Sequence, residues 1–120
     1  MTMTPTLLSM LDSKLLQERY IKYLETHIEL CEKELERTSY DNRLNNLSKY
    51  YLDRYSNDLH VFRDAYKCNI IQGFKYFQDT GYLEIITCGA THGYFPILYV
   101  NEKAVRAQIA VGVQTYEKYF

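Results

Sequence analysis

The sequence pattern predicts one short β-strand, Tyr82–Thr87, in a chain whose other long segments are predicted to be helices. Its β-branched and nearly continuous apolar character is typical of a strand covered on both faces within a parallel sheet. Such a strand needs parallel neighbours, and the only other candidate is the short segment Met1–Met3. We therefore predict an α/β fold in which the missing strands precede Met1 and follow Phe120. The alternative is a helical bundle in which Leu83–Thr87 is a buried extended segment.

Amphipathic helices account for most of the remaining chain. Apolar residues at spacings of three and four predict them. The expected helices are a short one beginning at Pro5, followed by 14–37, 44–66, 69–78 and 102–119. Polar pairs at Thr38-Ser39 and Asp41-Asn42 end the first long helix, and Gly81 suits a C-terminal cap.

Charge and composition exclude several functional classes. The 120 residues carry 14 basic and 15 acidic side chains, a balance that argues against nucleic acid or an anionic membrane as a partner. No apolar stretch is long enough to span a bilayer, and the first ten residues lack the features of a secretory signal. Three widely spaced cysteines fit reduced thiols, so we expect a cytoplasmic protein. Thirteen tyrosines leave core, sugar site and protein interface open.

The loop that follows the predicted strand is the strongest candidate site. In parallel α/β folds, ligands meet the loops at the carboxyl ends of strands. Cys88–Tyr94 lies there and contains two glycines, which allow unusual backbone angles and close approach. His92 is the one side chain in this loop suited to general acid/base chemistry. The alternative is a histidine whose imidazole is satisfied by backbone groups of a tight loop.

Metal binding is weakly indicated. His27 and Cys31 stand four residues apart on one helix, and Cys88 and His92 repeat that interval across a loop. A structural zinc site needs four ligands, usually in tight pairs, so we interpret these as core cysteines and incidental histidines. His60 is interpreted in the same way.

Two further groups of side chains have a structural and a functional interpretation. Glu84 is a carboxylate within the apolar strand, and we favour an ion pair over a place in an active-site channel. The tyrosines at helical spacing, such as Tyr51, Tyr55 and Tyr66, are interpreted as core and rim rather than as ligand-stacking residues.

A longer run around the candidate loop resembles a known family. The run from Phe77 to Leu98, FQDTGYLEIITCGATHGYFPIL, is similar to a conserved region of glycoside hydrolase family 57. The resemblance is greatest to its 1,4-α-glucan branching enzyme branch. Thr4–Asp12, Leu15–Tyr20 and Ala104–Ile109 resemble the same proteins, so the resemblance covers nearly the whole chain in order. Residues 34–58 are the least diagnostic.

The resemblance implies a distorted (β/α)7 barrel that acts on α-1,4-glucans with retention of configuration and without a metal or organic cofactor. Retention requires a glutamate nucleophile and an aspartate general acid/base. The family's nucleophile motif is expected after the last helix and its acid/base aspartate further on, so neither Glu84 nor Asp79 is assigned these roles. The early His-x-His motif of the family has no counterpart in this sequence.

The resemblance also assigns site residues within the loop. It places His92 near the cleaved sugar, with Thr91 and Gly93 shaping the loop around it. Tyr94 occupies a position usually held by Phe or another bulky residue, and sugar stacking is its implied role. No catalytic residue is expected within this chain.

The predicted fold is thus a partial (β/α)7-barrel segment, mostly helical, with one parallel-type strand at about 82–88. Its expected parts are a strand end with a short helix at 1–12, a helical insertion at 13–66, and a helix–strand–loop–helix at 67–120 that carries the Thr-His motif. Together they would form part of a catalytic-barrel domain.

The predicted function is that of a fragment of a 1,4-α-glucan branching enzyme of glycogen metabolism, which transfers glucan to a 6-hydroxyl. The chain by itself is expected to be inactive, because both catalytic carboxylates would lie outside it. Its expected partners are α-1,4-glucan and the rest of the barrel, if encoded separately, without nucleic acid or membrane. The alternatives are a fragment of a family 57 α-amylase or 4-α-glucanotransferase, and a stand-alone helical interaction module whose tyrosine-rich faces dock a partner.

Overall fold

Six α-helices make up most of the chain, and the computed structural model describes all residues from Met1 to Phe120. The helices are α1 (Pro5–Leu11), α2 (Lys14–Arg37), α3 (Asn42–Leu59), α4 (Ile70–Asp79), α5 (Phe95–Leu98) and α6 (Glu102–Tyr119). A π-helical turn, His60–Ala65, continues α3. The predicted helices are therefore confirmed, while the short α5 and the π-helical turn were not expected. None of the helices is both long enough and apolar enough to cross a membrane.

The predicted strand at 82–88, and with it the α/β barrel segment, is wrong. The structure contains no strand and no sheet, and the segment is extended with a single parallel bridge between Thr2 and Ile86. Two backbone bonds form this bridge: Met3 N–H donates to Ile86 O, and Ile86 N–H donates to Met1 O, both at 2.9 Å.

The sequence pattern failed here because a strand is defined by its neighbours. Hydrogen bonds to adjacent strands stabilise a sheet, and only the short segment at the amino terminus lies beside this one. Three of its amides bond to α4 instead. Tyr82 N–H and Leu83 N–H donate to Phe77 O at 3.0 and 3.1 Å, and Ile85 N–H donates to Gln78 Oε1 at 3.2 Å. The alternative of an extended segment in a helical structure describes it better, although Ile85 alone is buried.

The chain divides into two compact units. Unit 1 comprises Met1–Ser13 and Asn69–Phe120, and unit 2 comprises Lys14–Cys68. The predicted roles of 1–12, 13–66 and 67–120 within a catalytic domain stay predictions.

Unit 1 is built around a small apolar core contributed by four separate parts of the chain. Met3, Leu8, Ile71 and Ile85 are buried together. Their burial fixes the extended segment between α1 and α4, because Ile85 lies in the middle of that segment. The burial of Ile85 therefore fixes the point at which the following residues leave the core of unit 1.

Unit 2 is a hairpin of α2 and α3. Thr38, at the turn, is buried and donates its hydroxyl to Glu34 O at 2.6 Å. The Asn45 side chain donates to Leu35 O at 2.8 Å and closes the turn from the α3 side. Asp41 then begins α3, because its carboxylate accepts the N–H groups of the next helical residues.

Candidate functional site

The candidate loop, Cys88–Tyr94, leaves the core directly after the extended segment. The Thr87 hydroxyl donates to Met3 O at 3.3 Å, just before the loop begins. At its other end, Tyr94 is the residue before α5. The loop is thus attached on one side to the bridged segment and on the other to a short helix.

Three glycines allow the loop to lie close to its neighbours within unit 1. A Cβ at Gly89 would stand 2.8 Å from the Phe95 ring, and a Cβ at Gly93 would stand 2.6 Å from a Leu98 methyl group. On α6, a Cβ at Gly112 would overlap the carbonyl oxygen of Cys88. Because a backbone oxygen cannot turn aside as a side chain can, α6 can lie this close to the loop only with glycine at position 112.

Gln108 of α6 holds the loop by three hydrogen bonds. Its backbone oxygen accepts Ala90 N–H at 2.9 Å. Its side-chain amide pairs with Thr91: Oε1 accepts Thr91 N–H, and Nε2 donates to Thr91 Oγ1, both at 2.9 Å. Two consecutive loop residues are therefore fixed to one residue of the helix.

His92 has the left-handed backbone conformation at the tip of the loop. Its φ is +57°, a value that non-glycine residues seldom adopt, and its N–H donates to Gly89 O at 2.9 Å. The side chain is exposed and forms no hydrogen bond within the chain. The structure therefore does not show the backbone-satisfied imidazole that was the alternative interpretation. The role of His92 in a site stays a prediction.

The other predicted site residues surround His92 in the loop. Thr91 is exposed and paired with Gln108, and Gly93 packs against α5. The Tyr94 side chain is 68% exposed, and its stacking on a sugar stays a prediction.

The remaining candidates lie elsewhere or stand alone. The structure contains no group of three or more His, Cys, Asp or Glu side chains placed to hold a metal ion. His27 packs its ring 4.0 Å from that of Tyr23, and Cys31 is buried, which raises the pKa of its thiol. Glu84 is exposed and forms no ion pair, so the favoured interpretation of this residue was wrong.

Sequence reasoning missed the two α6 residues that support the loop. Gln108 lies in Ala104–Ile109, a segment noted only because it resembles the family, and neither Gln108 nor Gly112 was predicted to support the loop. A signal for Gly112 was present, because a glycine inside a helix costs about 1 kcal/mol relative to alanine and therefore indicates close packing. No comparable signal distinguishes Gln108 from the other polar residues of α6.

Comparison with known proteins gives consistent matches over the whole chain. Residues 3–120 match the family model described as Glycosyl hydrolase family 57. The 1,4-alpha-glucan branching enzyme of Thermococcus kodakarensis is 37% identical over 117 residues, which are 98% of this chain and 17% of that protein.

Solved structures give the same result. The alpha-amylase AmyC of Thermotoga maritima is 45% identical with a TM-score of 0.95, and the match covers 99% of this chain and 23% of that one. A GH57-type branching enzyme of Pyrococcus horikoshii is 34% identical with a TM-score of 0.90, over 99% of this chain and 22% of that one. The chain thus spans about a fifth of the length of these proteins.

Proposed function

The chain belongs to glycosyl hydrolase family 57, and we propose that it serves a 1,4-α-glucan branching enzyme as the segment whose Cys88–Tyr94 loop contacts the glucan. The observation that carries this proposal is the match to a branching enzyme along nearly the whole chain. The loop is the part best suited to a ligand, because helix α6 fixes its backbone while several of its side chains remain exposed.

The chemistry of the loop is that of binding and orientation. A retaining glycosyl transfer needs two carboxylates close together, one as nucleophile and one as general acid/base. Cys88–Tyr94 contains no carboxylate. We therefore assign no residue of the loop to bond cleavage, and we expect the two carboxylates to come from other parts of a catalytic domain.

His92 and Thr91 would hold the sugar by hydrogen bonds. The imidazole has two nitrogens, of which one donates and one accepts in the neutral ring, and both donate when the ring is protonated. Neither is occupied by a protein partner. Such a group orients sugar hydroxyls before transfer to a 6-hydroxyl acceptor rather than to water.

A second candidate function is that of an α-amylase. It is favoured by one observation: the Thermotoga alpha-amylase has a higher identity to this chain than the branching enzymes do. The loop would serve both reactions in the same way, since hydrolysis and transfer differ in the acceptor. The helical interaction module stays a prediction that no contact of the structure favours.

Glucan binding is tested by adding maltoheptaose to the isotope-labelled chain and following its amide signals by NMR. We expect the signals of the loop to shift and His92→Ala to weaken binding by about tenfold, as expected for one lost hydrogen bond of about 1.4 kcal/mol. His60→Ala is the matched control, because His60 is an exposed histidine of unit 2. Loop signals that do not move, or equal effects of the two substitutions, would contradict the proposal.

The reaction type is tested by using this chain to replace the matching segment of the Thermococcus branching enzyme. With amylose as substrate, we expect new α-1,6 linkages, measured by NMR of the product. New reducing ends without branches would favour the second candidate. The 120-residue chain alone is expected to give neither product, and α-1,6 linkages formed by it alone would overturn the assignment of the carboxylates.

A further inference from the structure

We propose that Gln108 is a positioning residue that turns the Thr91 hydroxyl outward as a hydrogen-bond donor to a sugar oxygen. This inference rests on the proposed function for its ligand. Its geometric part, the direction of the hydroxyl, follows from the hydrogen bonds of unit 1 alone.

The orientation of the Gln108 amide is fixed by the backbone of the loop. A backbone N–H can only donate, so the side-chain atom that lies 2.9 Å from Thr91 N must be the acceptor Oε1. The other amide atom, Nε2, then faces Thr91 Oγ1, also at 2.9 Å. The reverse orientation would set two donors against each other at Thr91 N.

This orientation fixes the role of the hydroxyl in turn. Nε2 has no acceptor capacity, so Thr91 Oγ1 must accept from it. The hydroxyl hydrogen therefore points away from Gln108. No protein acceptor is bonded to it, and Thr91 is exposed. The loop thus presents a donor whose direction is set by a residue that does not itself face the ligand.

The glycines of the loop leave room for the Gln108 amide in this place. A Cβ at Gly89 would stand 3.1 Å from Oε1, so only glycine leaves the amide its present room. A Cβ at Gly93 would stand 3.8 Å from the same Oε1 atom. The Ala90 N–H bond to the Gln108 carbonyl fixes the helix against the loop independently of the side chain.

An α-glucan offers the matching chemistry. Its hydroxyl, ring and glycosidic oxygens all accept hydrogen bonds, whereas its hydroxyls alone can donate. A fixed donor therefore selects the direction in which the sugar oxygen approaches, and together with the imidazole of His92 it would set the rotation of a bound glucose unit. The specificity of the loop then depends on which atom of residue 108 faces Thr91.

The substitution Gln108→Glu tests this directly because it keeps the shape and removes the donor. The introduced carboxylate can accept from Thr91 N–H and from the Thr91 hydroxyl, which must reverse to donate to it. A carboxylate that accepts these bonds has a lowered pKa. Adding Thr91→Val to Gln108→Glu removes one bond with nearly the same burial, and we expect the pKa of the introduced carboxyl to rise by about 0.5–1 unit.

The titration is followed by NMR of the side-chain carboxyl carbon. Gln114→Glu is the matched control, because Gln114 is an exposed glutamine of the same helix. Adding Thr91→Val to Gln114→Glu should leave the pKa of that carboxyl unchanged. If Thr91→Val has no effect on either pKa, the proposed contact between the Thr91 hydroxyl and residue 108 is wrong.

The glucan part is tested by the affinity for maltoheptaose. We expect Gln108→Glu to weaken binding by about fivefold to tenfold, because the outward donor becomes an acceptor. Gln114→Glu should bind as the original chain does, and Thr91→Ser, which retains the hydroxyl, should retain most of the affinity. Equal binding by Gln108→Glu and the original chain overturns the positioning role, even where the fold is intact by circular dichroism.

The outcomes separate this inference from the proposed function. Suppose that the titration shows the contact between the Thr91 hydroxyl and residue 108, that Gln108→Glu leaves the affinity unchanged and that His92→Ala weakens binding. In that case the proposed function stands and the positioning role fails. If the original chain does not bind maltoheptaose, the proposed function and the sugar-directed role fail together. The titration decides in either case whether the Thr91 hydroxyl contacts the side chain of residue 108.

Discussion

The two units of the chain differ in how far apart in sequence their bonded residues lie. In unit 1, Tyr119 donates to Asp12 across 107 positions at 2.7 Å, and Gln108 bonds to Thr91 across 17 positions. In unit 2, most side-chain bonds join residues three or four positions apart, as in the 2.7 Å pair of Lys33 and Glu29.

This difference has a consequence for where a ligand site can form. Local bonds stabilise a helix but place nothing from another part of the chain beside it. The loop of unit 1 is held by α6 and by the bridged segment, so its geometry exists only while the whole unit is folded. We therefore expect substitutions in the core of unit 1 to disturb the loop, and substitutions in unit 2 to leave it unchanged.

The largest effect is expected when the core of unit 1 loses a large side chain. Leu8 is completely buried, so Leu8→Ala should lower the free energy of unfolding of unit 1 by about 2–5 kcal/mol. Hydrogen exchange of the Ala90 and Thr91 amides measures the effect at the loop, because both amides bond to Gln108.

The matched change in unit 2 is Leu24→Ala. Leu24 is 1% exposed, and its loss should destabilise the hairpin without speeding exchange at the two loop amides. Leu15→Ala, at a position 55% exposed, is the control for a surface leucine and should change little in either unit. If Leu24→Ala speeds exchange in the loop as much as Leu8→Ala does, the contrast between the units is lost.

How much of the fold could be predicted from the sequence also differs between the two units. The helices of unit 2 could be located from the sequence, because their spacing of apolar residues and the polar turn at 38–42 are local signals. The segment at 82–88 could not be assigned correctly. Its composition fits a strand, but strand formation depends on partners that a local pattern does not contain.

The candidate site was predictable to a similar extent. Two glycines around Thr91 and His92 marked the loop, and the resemblance named the same residues. The contribution of α6 could not be predicted, because nothing local states that Gln108 lies beside a loop 17 positions earlier. Within α6, the position of Gly112 inside the helix was the local signal that pointed to such an approach.

A smaller effect is expected at Gly112, where two influences have opposite signs. Alanine is the better helix former by about 1 kcal/mol, but its Cβ would overlap the Cys88 carbonyl oxygen. Such overlap typically costs about 1–3 kcal/mol, so we expect Gly112→Ala to destabilise unit 1 slightly and to displace the loop. Denaturant unfolding and the NMR shifts of the loop measure both effects. Gln114→Ala, an exposed change on α6, should do neither, and a stabilised Gly112→Ala variant would mean that the loop can move away at little cost.

The smallest effect is expected from the ion pair that joins the ends of α1 and α6. The Tyr119 hydroxyl and then the Lys118 ammonium lower the pKa of Asp12. Because the folded-state pKa lies below the ordinary value of about 3.9, the stabilisation by this ion pair is present above that pH and is lost as pH falls through the folded-state pKa.

Asp12 is about half exposed, so the stabilisation should be below about 1 kcal/mol. Asp12→Asn should therefore reduce the stability of unit 1 at pH 7, and the difference from the original chain should shrink as pH falls below the ordinary pKa, as measured by urea unfolding. The exposed pair in unit 2 is the comparison: Glu29→Gln should have no measurable effect on stability at pH 7, and an effect equal to that of Asp12→Asn would show that sequence separation does not distinguish the bonds of the two units.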